Sequence, residues 1–137
     1  MLRHNQKVDL IRKVPLFAHC SKRELQQIAQ IADEIDLREG KEMTTQGGRG
    51  REFFVLLEGD ADVMKDGRRI NTLGAGDFFG EIALVSDSPR TATVTATSPV
   101  RALVTTDRSF RRLLEGSPQI QAKVLSALAA RLAPELV

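Results

Sequence analysis

The sequence predicts a mainly β fold, an all-β barrel or jelly roll bracketed by helices, and three observations carry that expectation. A helical apolar period governs the start and the end of the chain, and beyond Glu34 it gives way to short segments of strand length. Those segments are punctuated by Gly40, Gly47, Gly48, Gly50, Gly59, Gly67, Gly74, Gly76 and Gly80. Apolar and β-branched residues fill the intervals, and short strands at near-regular spacing with glycine turns between them indicate a closed or double-sheet β architecture.

The elements follow in order. Val8, Ile11 and Val14 fall on one helical face before Pro15 stops the helix. A second helix starts at Ser21, whose hydroxyl caps it, and Glu24 three residues on completes a capping box. Leu25, Ile28, Ala29 and Ala32 form its buried stripe. The strand candidates are Glu34–Leu37, Phe53–Leu57, Ala61–Lys65, Arg69–Leu73, Thr91–Ala96 and Val100–Thr105. Lys65-Asp66-Gly67-Arg68 is the strongest hairpin signal, because Asp-Gly accepts positive φ. Phe110, Leu113 and Leu114 form a short helical face closed by Gly116, and Pro118 opens a last helix that Pro134 ends. That helix carries two stripes, Ile120, Val124 and Ala127 on one side and Leu125, Leu128 and Leu132 on the other. Two stripes exceed what one barrel face requires. Either the second meets a partner, such as a second copy of the chain, or the helix is sunk in its own domain.

A length of 137 residues fits one compact domain. Hydrophobic residues at 42% and charged residues at 28% are the balance of a soluble globular protein. No apolar run approaches the ~20 residues of a membrane span. Met1 to Asn5 lack a signal-peptide core, so the expected location is cytoplasmic. Cys20 is the only cysteine and His4 and His19 the only histidines, which excludes a disulfide and disfavours any Cys/His metal site. Cys20 reads as a partly buried loop residue. The net charge of +2 is too balanced to imply nucleic-acid binding, and no Trp or Tyr is present to stack bases. Arg108, Arg111 and Arg112, near Glu115, read as a solvated helix face. No nucleophile–base pair, metal cluster or P-loop is visible, so the chain is expected to be a binding module and not an enzyme, with no cofactor.

Residues 78–96, FFGEIALVSDSPRTATVTA, stand apart from their surroundings. Glu81 and Arg90 are separated by a turn-forming stretch from Ser86 to Pro89. Gly80 lets backbone approach a ligand closely. Ile82, Ala83 and Leu84 are placed to form a short turn with free N–H groups for an anion. Arg90 offers a planar fork that matches phosphate oxygens, and Glu81 can accept hydrogen bonds from sugar hydroxyls. The set suits a small sugar phosphate. The competing reading is that Glu81 and Arg90 only pair with each other in a loop.

The whole run resembles the phosphate-binding cassette of the cyclic nucleotide-binding domain family, a pattern close to FGE-[LI]-AL, a short turn, then PR-[TAS]-A-[TS]-V. The matches are Phe79, Gly80, Glu81, Ile82, Ala83, Leu84, Pro89, Arg90, Thr91, Ala92, Thr93 and Val94. Outside it, Gln46-Gly47 followed by FFVLLEG, the lead-in GAGDFFGE, and an end similar to the B and C helices of bacterial catabolite-activator-type proteins extend the likeness over nearly the whole chain. The loop Gly48-Arg49-Gly50-Arg51 departs from relatives that carry acidic residues there; it is expected to affect a barrel tip and not binding. The sequence stops at Val137, where a transcription factor of that type would continue into a helix-turn-helix.

The resemblance implies a double-stranded β-helix, a jelly-roll-like β-roll of roughly eight strands, over residues 34–106. The cassette lies at 79–94, the N-terminal helices at 1–33 and the B and C helices at 107–134. It implies that Glu81 binds the ribose 2′-hydroxyl and Arg90 the cyclic phosphate. Backbone N–H groups around Gly80, Ile82, Ala83 and Ala92 and the Thr91 hydroxyl complete the cradle. Val63, Ile70, Phe79 and Val94 are placed to wall the sugar and base, or simply to fill the barrel, and Arg131 lies where relatives have a C-helix residue near the pocket. The implied ligand is cyclic AMP or cyclic GMP, with cyclic AMP favoured by the bacterial likeness, and binding would move the C-terminal helices to signal to a protein effector. Two alternatives stay open: an interaction module of the same fold that binds no nucleotide, and a regulatory piece of a longer protein, against which the initiating Met1 argues.

Overall fold

The computed structural model describes residues 3–80 and 88–132, with backbone alone for residues 127, 128 and 130–132. Helix α1 (His4–Arg12) and α2 (Lys22–Ile31) flank a 3₁₀ turn at Pro15–Phe17. Eight strands follow: β1 (Asp33–Leu37), β2 (Glu42–Thr44), β3 (Glu52–Glu58), β4 (Ala61–Lys65), β5 (Arg68–Leu73), β6 (Phe78–Phe79), β7 (Thr93–Ala96) and β8 (Val100–Thr106). Helices α3 (Asp107–Gly116) and α4 (Pro118–Leu132) close the chain. The strands form two antiparallel sheets, in the orders β1-β8-β3-β6 and β2-β7-β4-β5, and together they make the expected β-roll.

Strand β3 explains how the two parts of the molecule join. Its side chains alternate between two apolar cores. Phe53, Val55 and Leu57 join the helices' core with Val8, Ile11, Phe17, Leu25, Phe110 and Ile120. Phe54 and Leu56 point into the roll with Phe79, Val94 and Ala102. Phe53 packs between Phe78 and Phe110 at ring-centroid distances of 5.7 and 5.4 Å, and Phe54 stacks on Phe79 at 4.8 Å. Each such side chain contributes about 1.5–3 kcal/mol on burial.

The capping box at α2 is present: Glu24 N donates to Ser21 Oγ and Ser21 N to Glu24 Oε1. Lys7 of α1 donates to the carbonyls of Ala29 and Ala32, closing the other end of α2. The β4–β5 hairpin turns through Asp66 (φ 51°) and Gly67 (φ 77°), two consecutive positive-φ residues, as its Asp-Gly pair predicts. Pro118 is the first residue of α4. Cys20 is half-buried, and burial, with the Glu24 carboxylate nearby, pushes its thiol pKa up.

Two points differ from the sequence expectation. Strands β2 and β6 are additional, being three and two residues long, too short to show a period. The strand expected from Thr91 begins at Thr93, because Arg90 N and O bond instead to Gly48 O and Gly47 N, the turn after β2. The sheet edges are β1 and β6 in one sheet and β2 and β5 in the other. Of α4, Ile120 and Val124 are buried while Leu125 is 53% exposed. Among the described residues no helix is long and apolar enough to cross a membrane.

An ion pair ties α4 back to the N-terminal helices. Lys123 Nζ donates to Glu24 Oε1 at 2.6 Å, with the Glu24 side chain only 8% exposed. The Lys123 hydrogen bond, followed by those within the capping box, holds the Glu24 carboxyl below its ordinary pKa. A depressed carboxyl stabilises the fold above its unfolded-state pKa and loses that contribution as pH falls through the folded-state value. Lys123→Met is therefore expected to cost about 1.5–3 kcal/mol at neutral pH, the range for a hydrogen bond to a charged group. The difference from the unmodified chain should shrink below the ordinary carboxylate range, as read by urea unfolding at a series of pH values.

Candidate functional site

Arg90 is set by backbone before it is set by charge. Its N and O atoms pair with Gly48 O (2.9 Å) and Gly47 N (2.8 Å), and two neighbours repeat the stapling. Thr44 Oγ1 donates to Ala92 O at 3.0 Å, and Gln46 N donates to Thr93 Oγ1 at 2.9 Å. The arch of residues 90–93 is thus held against β2 and its following turn. Gln46 also reaches the β4–β5 hairpin: its Nε2 donates to Asp66 Oδ1 (2.8 Å) and its Oε1 accepts from Asp66 N (2.9 Å).

The guanidinium lies across the start of β3. Nη2 donates to Glu52 O at 2.8 Å and stands 3.3 Å from Glu52 Oε2, and the Arg90 side chain is only 10% exposed. Two glycines make room for it. A Cβ at Gly50 would stand 2.8 Å from Arg90 Nε and 2.9 Å from Nη2. At Gly80, where φ is +85°, a Cβ would stand 2.6 Å from Glu52 O and 3.0 Å from Arg90 Nη1. At Gly80 the close atom is backbone and φ is positive, so glycine is required there; at Gly50 an added methyl would press on the guanidinium and displace it. A cation buried this far must be matched by an anion or by oriented dipoles. Glu52, whose carboxylate is half exposed, supplies part of the match.

Beside the guanidinium opens a cavity of about 200 Å³. Phe79, Gly80, Arg90, Thr91, Ala92 and Val94 line it, together with Val63 and Ile70 from the hairpin. Phe79 and Val94 are buried as well, so for them core packing and cavity wall are one position. Ile70 is 57% exposed, so the cavity is open on the β5 side. Glu81, Ile82 and Ala83 lie outside the described residues, as does the Arg131 side chain, although its backbone belongs to α4.

Sequence reasoning missed four participants. Thr44 and Asn71 also line the cavity, and Glu52 and Gly50 seat the arginine. Gly50 of the loop Gly48-Arg49-Gly50-Arg51, expected to affect a barrel tip and not binding, lies against the Arg90 side chain. The signal available was the absence of any side chain at Gly50, two residues before a strand. One more contact leaves the site. Arg51, next to Glu52, places Nη1 3.4 Å from Asp107 Oδ2, and Asp107 N donates to Arg51 O at 2.7 Å. Asp107 is the first residue of α3, and its buried carboxylate also lies 3.8 Å from Arg111 Nη2. Among the described residues no group of three or more His, Cys, Asp or Glu could hold a metal ion.

The arrangement is an apolar slot with a seated cation at one end, open to solvent at the other, and it can hold a small apolar body carrying an anion. Known proteins resemble the chain in sequence and fold. A family model described as "Cyclic nucleotide-binding domain" matches residues 34–117. The chain is 41% identical over 113 residues to a cAMP-dependent protein kinase regulatory subunit of Mycosarcoma maydis, covering 74% of this chain and 21% of that protein. It is 34% identical over 113 residues to a cGMP-dependent protein kinase of Toxoplasma gondii, covering 82% of this chain and 11% of that one. The chain thus spans about a fifth or less of these relatives. Its fold superposes on the N-terminal domain of a transcriptional regulator from Streptomyces coelicolor A3(2) with a TM-score of 0.79 and 28% identity, over 93% of this chain and 92% of that one. With more than half of its length matched by the family model and relatives above 30% identity, the chain belongs to the cyclic nucleotide-binding domain family.

Proposed function

We propose that this domain is a cytoplasmic sensor of a 3′,5′-cyclic purine nucleotide, cyclic AMP or cyclic GMP, without catalytic activity of its own. The observation that carries the reading is the seat of Arg90: a largely buried guanidinium, framed by Gly50 and Gly80, at the closed end of an apolar cavity. A buried cation with part of its donor set uncommitted is a site for an anion, and its planar fork suits two phosphate oxygens. In this reading Arg90 binds the cyclic phosphate, with backbone N–H groups of Ile82, Ala83 and Ala92 and the Thr91 hydroxyl around it. Glu81 takes the ribose 2′-hydroxyl, and Val63, Ile70, Phe79 and Val94 wall the sugar and base. Arg131 of α4 caps the pocket.

Signalling to an effector would run through the C-terminal helices. Support for it is the succession Arg90–Glu52 and Arg51–Asp107, which takes two adjacent residues of one chain segment from the phosphate end of the cavity to the start of α3. A phosphate that draws Arg90 away from Glu52 would act on that segment directly. The exposed Leu125 also favours a homodimer through α4. Leu125→Asp is expected to turn a dimer into a monomer that remains folded by circular dichroism; light scattering that finds the unmodified chain monomeric at high concentration removes the dimer.

Calorimetry with cyclic AMP, cyclic GMP and 5′-AMP tests the ligand class, and only the cyclic forms are expected to bind tightly. Arg90→Ala should then lose at least ~3 kcal/mol, about a hundredfold in affinity, because it strands the phosphate charge in an apolar pocket. Arg90→Lys should recover part of this, keeping the charge without the fork. Unchanged affinity in folded Arg90→Ala would end the phosphate assignment. Gly50→Ala probes the seat instead of the donor. Its added methyl presses on the guanidinium and no positive φ is needed there, so thermal stability should stay within about 1 kcal/mol while affinity falls roughly tenfold.

A further inference from the structure

We infer that Gln46 is a positioning residue, a clamp that makes the Arg90 arch and the β4–β5 hairpin one body around the cavity; this rests on the sensor reading above and deepens it. The cavity has two walls from different parts of the chain. Arg90, Thr91 and Ala92 belong to one, and Val63 and Ile70 of the hairpin belong to the other. A nucleotide lying between them touches both, so the distance between the walls decides how well it is held.

The sheet joins the walls for part of their length. Strand β4 pairs with β7 from Ala61↔Ala96 as far as Met64↔Thr93. Past that pair the hairpin continues through Lys65 and Arg68, which pair with each other, and through the Asp66-Gly67 turn. Gln46 takes over where the ladder ends. Its N–H donates to Thr93 Oγ1 at 2.9 Å, on the same residue that closes the β4–β7 ladder. Its side chain crosses to the hairpin tip, 20 positions on in sequence, and meets Asp66. The next residue, Gly47, donates to Arg90 O at 2.8 Å. The hairpin tip, the arch and the arginine are thus tied through two consecutive residues.

The chemistry of the tie is specific. Asp66 presents an acceptor and a donor, its carboxylate and its own N–H, and an amide answers both. Gln46 Nε2 donates to Asp66 Oδ1 at 2.8 Å, and Gln46 Oε1 accepts from Asp66 N at 2.9 Å. Asp66 sits at φ 51°, the left-handed region that a residue with a side chain enters at a cost, and the paired bonds offset that cost. Without them the tip is free to swing, and a nucleotide that needs both walls must first bring them together. Gln46 and Asp66 are both exposed, so changing them removes the tie without opening either core.

Exchanging the two partners' chemistry tests this. Cyclic AMP and cyclic GMP are titrated into the unmodified chain, Gln46→Glu, Asp66→Asn and the double variant Gln46→Glu/Asp66→Asn, each shown to be folded by circular dichroism. Gln46→Glu sets two carboxylates against each other and removes the donor, so it should weaken the bound nucleotide about fivefold to tenfold. Asp66→Asn still offers an oxygen to Gln46 Nε2 and tolerates the left-handed backbone, so it should change affinity less than about twofold. In the double variant the donor and acceptor have changed sides and both bonds can form again, so affinity should return to within about threefold of the unmodified chain. Loop damage at position 46 alone gives no such recovery. Unchanged affinity in Gln46→Glu, or a double variant as weak as Gln46→Glu, overturns the clamp while the sensor reading stands. If neither nucleotide binds the unmodified chain, the sensor reading itself falls, and the Gln46 assignment with it.

Discussion

Strand β3 has no solvent face along its middle, and the rest of the molecule is arranged around that constraint. Phe53, Val55 and Leu57 belong to the helices' core while Phe54 and Leu56 belong to the roll, so the strand can be covered only if helices pack on one side of its sheet and a second sheet on the other. A one-residue slip of register would exchange the two sets and leave phenylalanines facing the wrong volume. The pairing Phe54↔Val104 and Phe54↔Phe79 fixes that register from both sides. Because β3 is fixed, so is its first residue, Glu52, and it is on Glu52 that the Arg90 guanidinium rests. The site thus inherits its precision from the core, and no residue of the cavity has to supply it alone.

The Arg90 seat uses few parts. Its backbone is held by a neighbouring turn, its side chain by one carbonyl and one carboxylate, and its faces by the two residues that have no side chain to intrude. The carboxylate at 3.3 Å is a long contact and half exposed, so it orients the cation without neutralising it as a short bidentate pair would. A phosphate bound as proposed would meet a donor that is placed in advance, which would lower the ordering cost of binding.

The fold was readable because its signals are local. Caps at Ser21 and Pro118, the Asp66-Gly67 turn and the alternation in Phe53–Leu57 each depend on a few consecutive residues. Strands β2 and β6 were not readable, since Glu42–Thr44 and Phe78–Phe79 are too short for any period and exist only through their partners. The site divides along the same line. Arg90 stands in a contiguous motif and could be picked out. Glu52 lies 38 positions away in sequence, and nothing near it marks a carboxylate that will touch that arginine. Asn71 is an ordinary polar residue of an exposed strand until the register sets it in line with Val63, Val94 and Thr44. Partners joined by topology are invisible to any reading that moves along the chain.

The sheet edges carry opposite charges, and this bears on how copies of the protein meet at high concentration. Strand β1 is Asp-Glu-Ile-Asp-Leu and strand β5 begins Arg-Arg. Unpaired edges are templates for strand addition, and like charges facing across a new ladder oppose it. Two β5 edges therefore repel each other, whereas on β1 Arg101 of β8 pairs with Glu34 and Asp36 and offsets part of the acidic charge. The edge strands β2 and β6 are only three and two residues long and offer little to template on. The remaining combination, β1 against β5, is attractive in charge, so dissolved salt should weaken that contact while strengthening contacts between apolar surfaces. Turbidity that rises as salt is removed would mark the edge-to-edge route, and turbidity that rises as salt is added would mark exposed apolar surface instead.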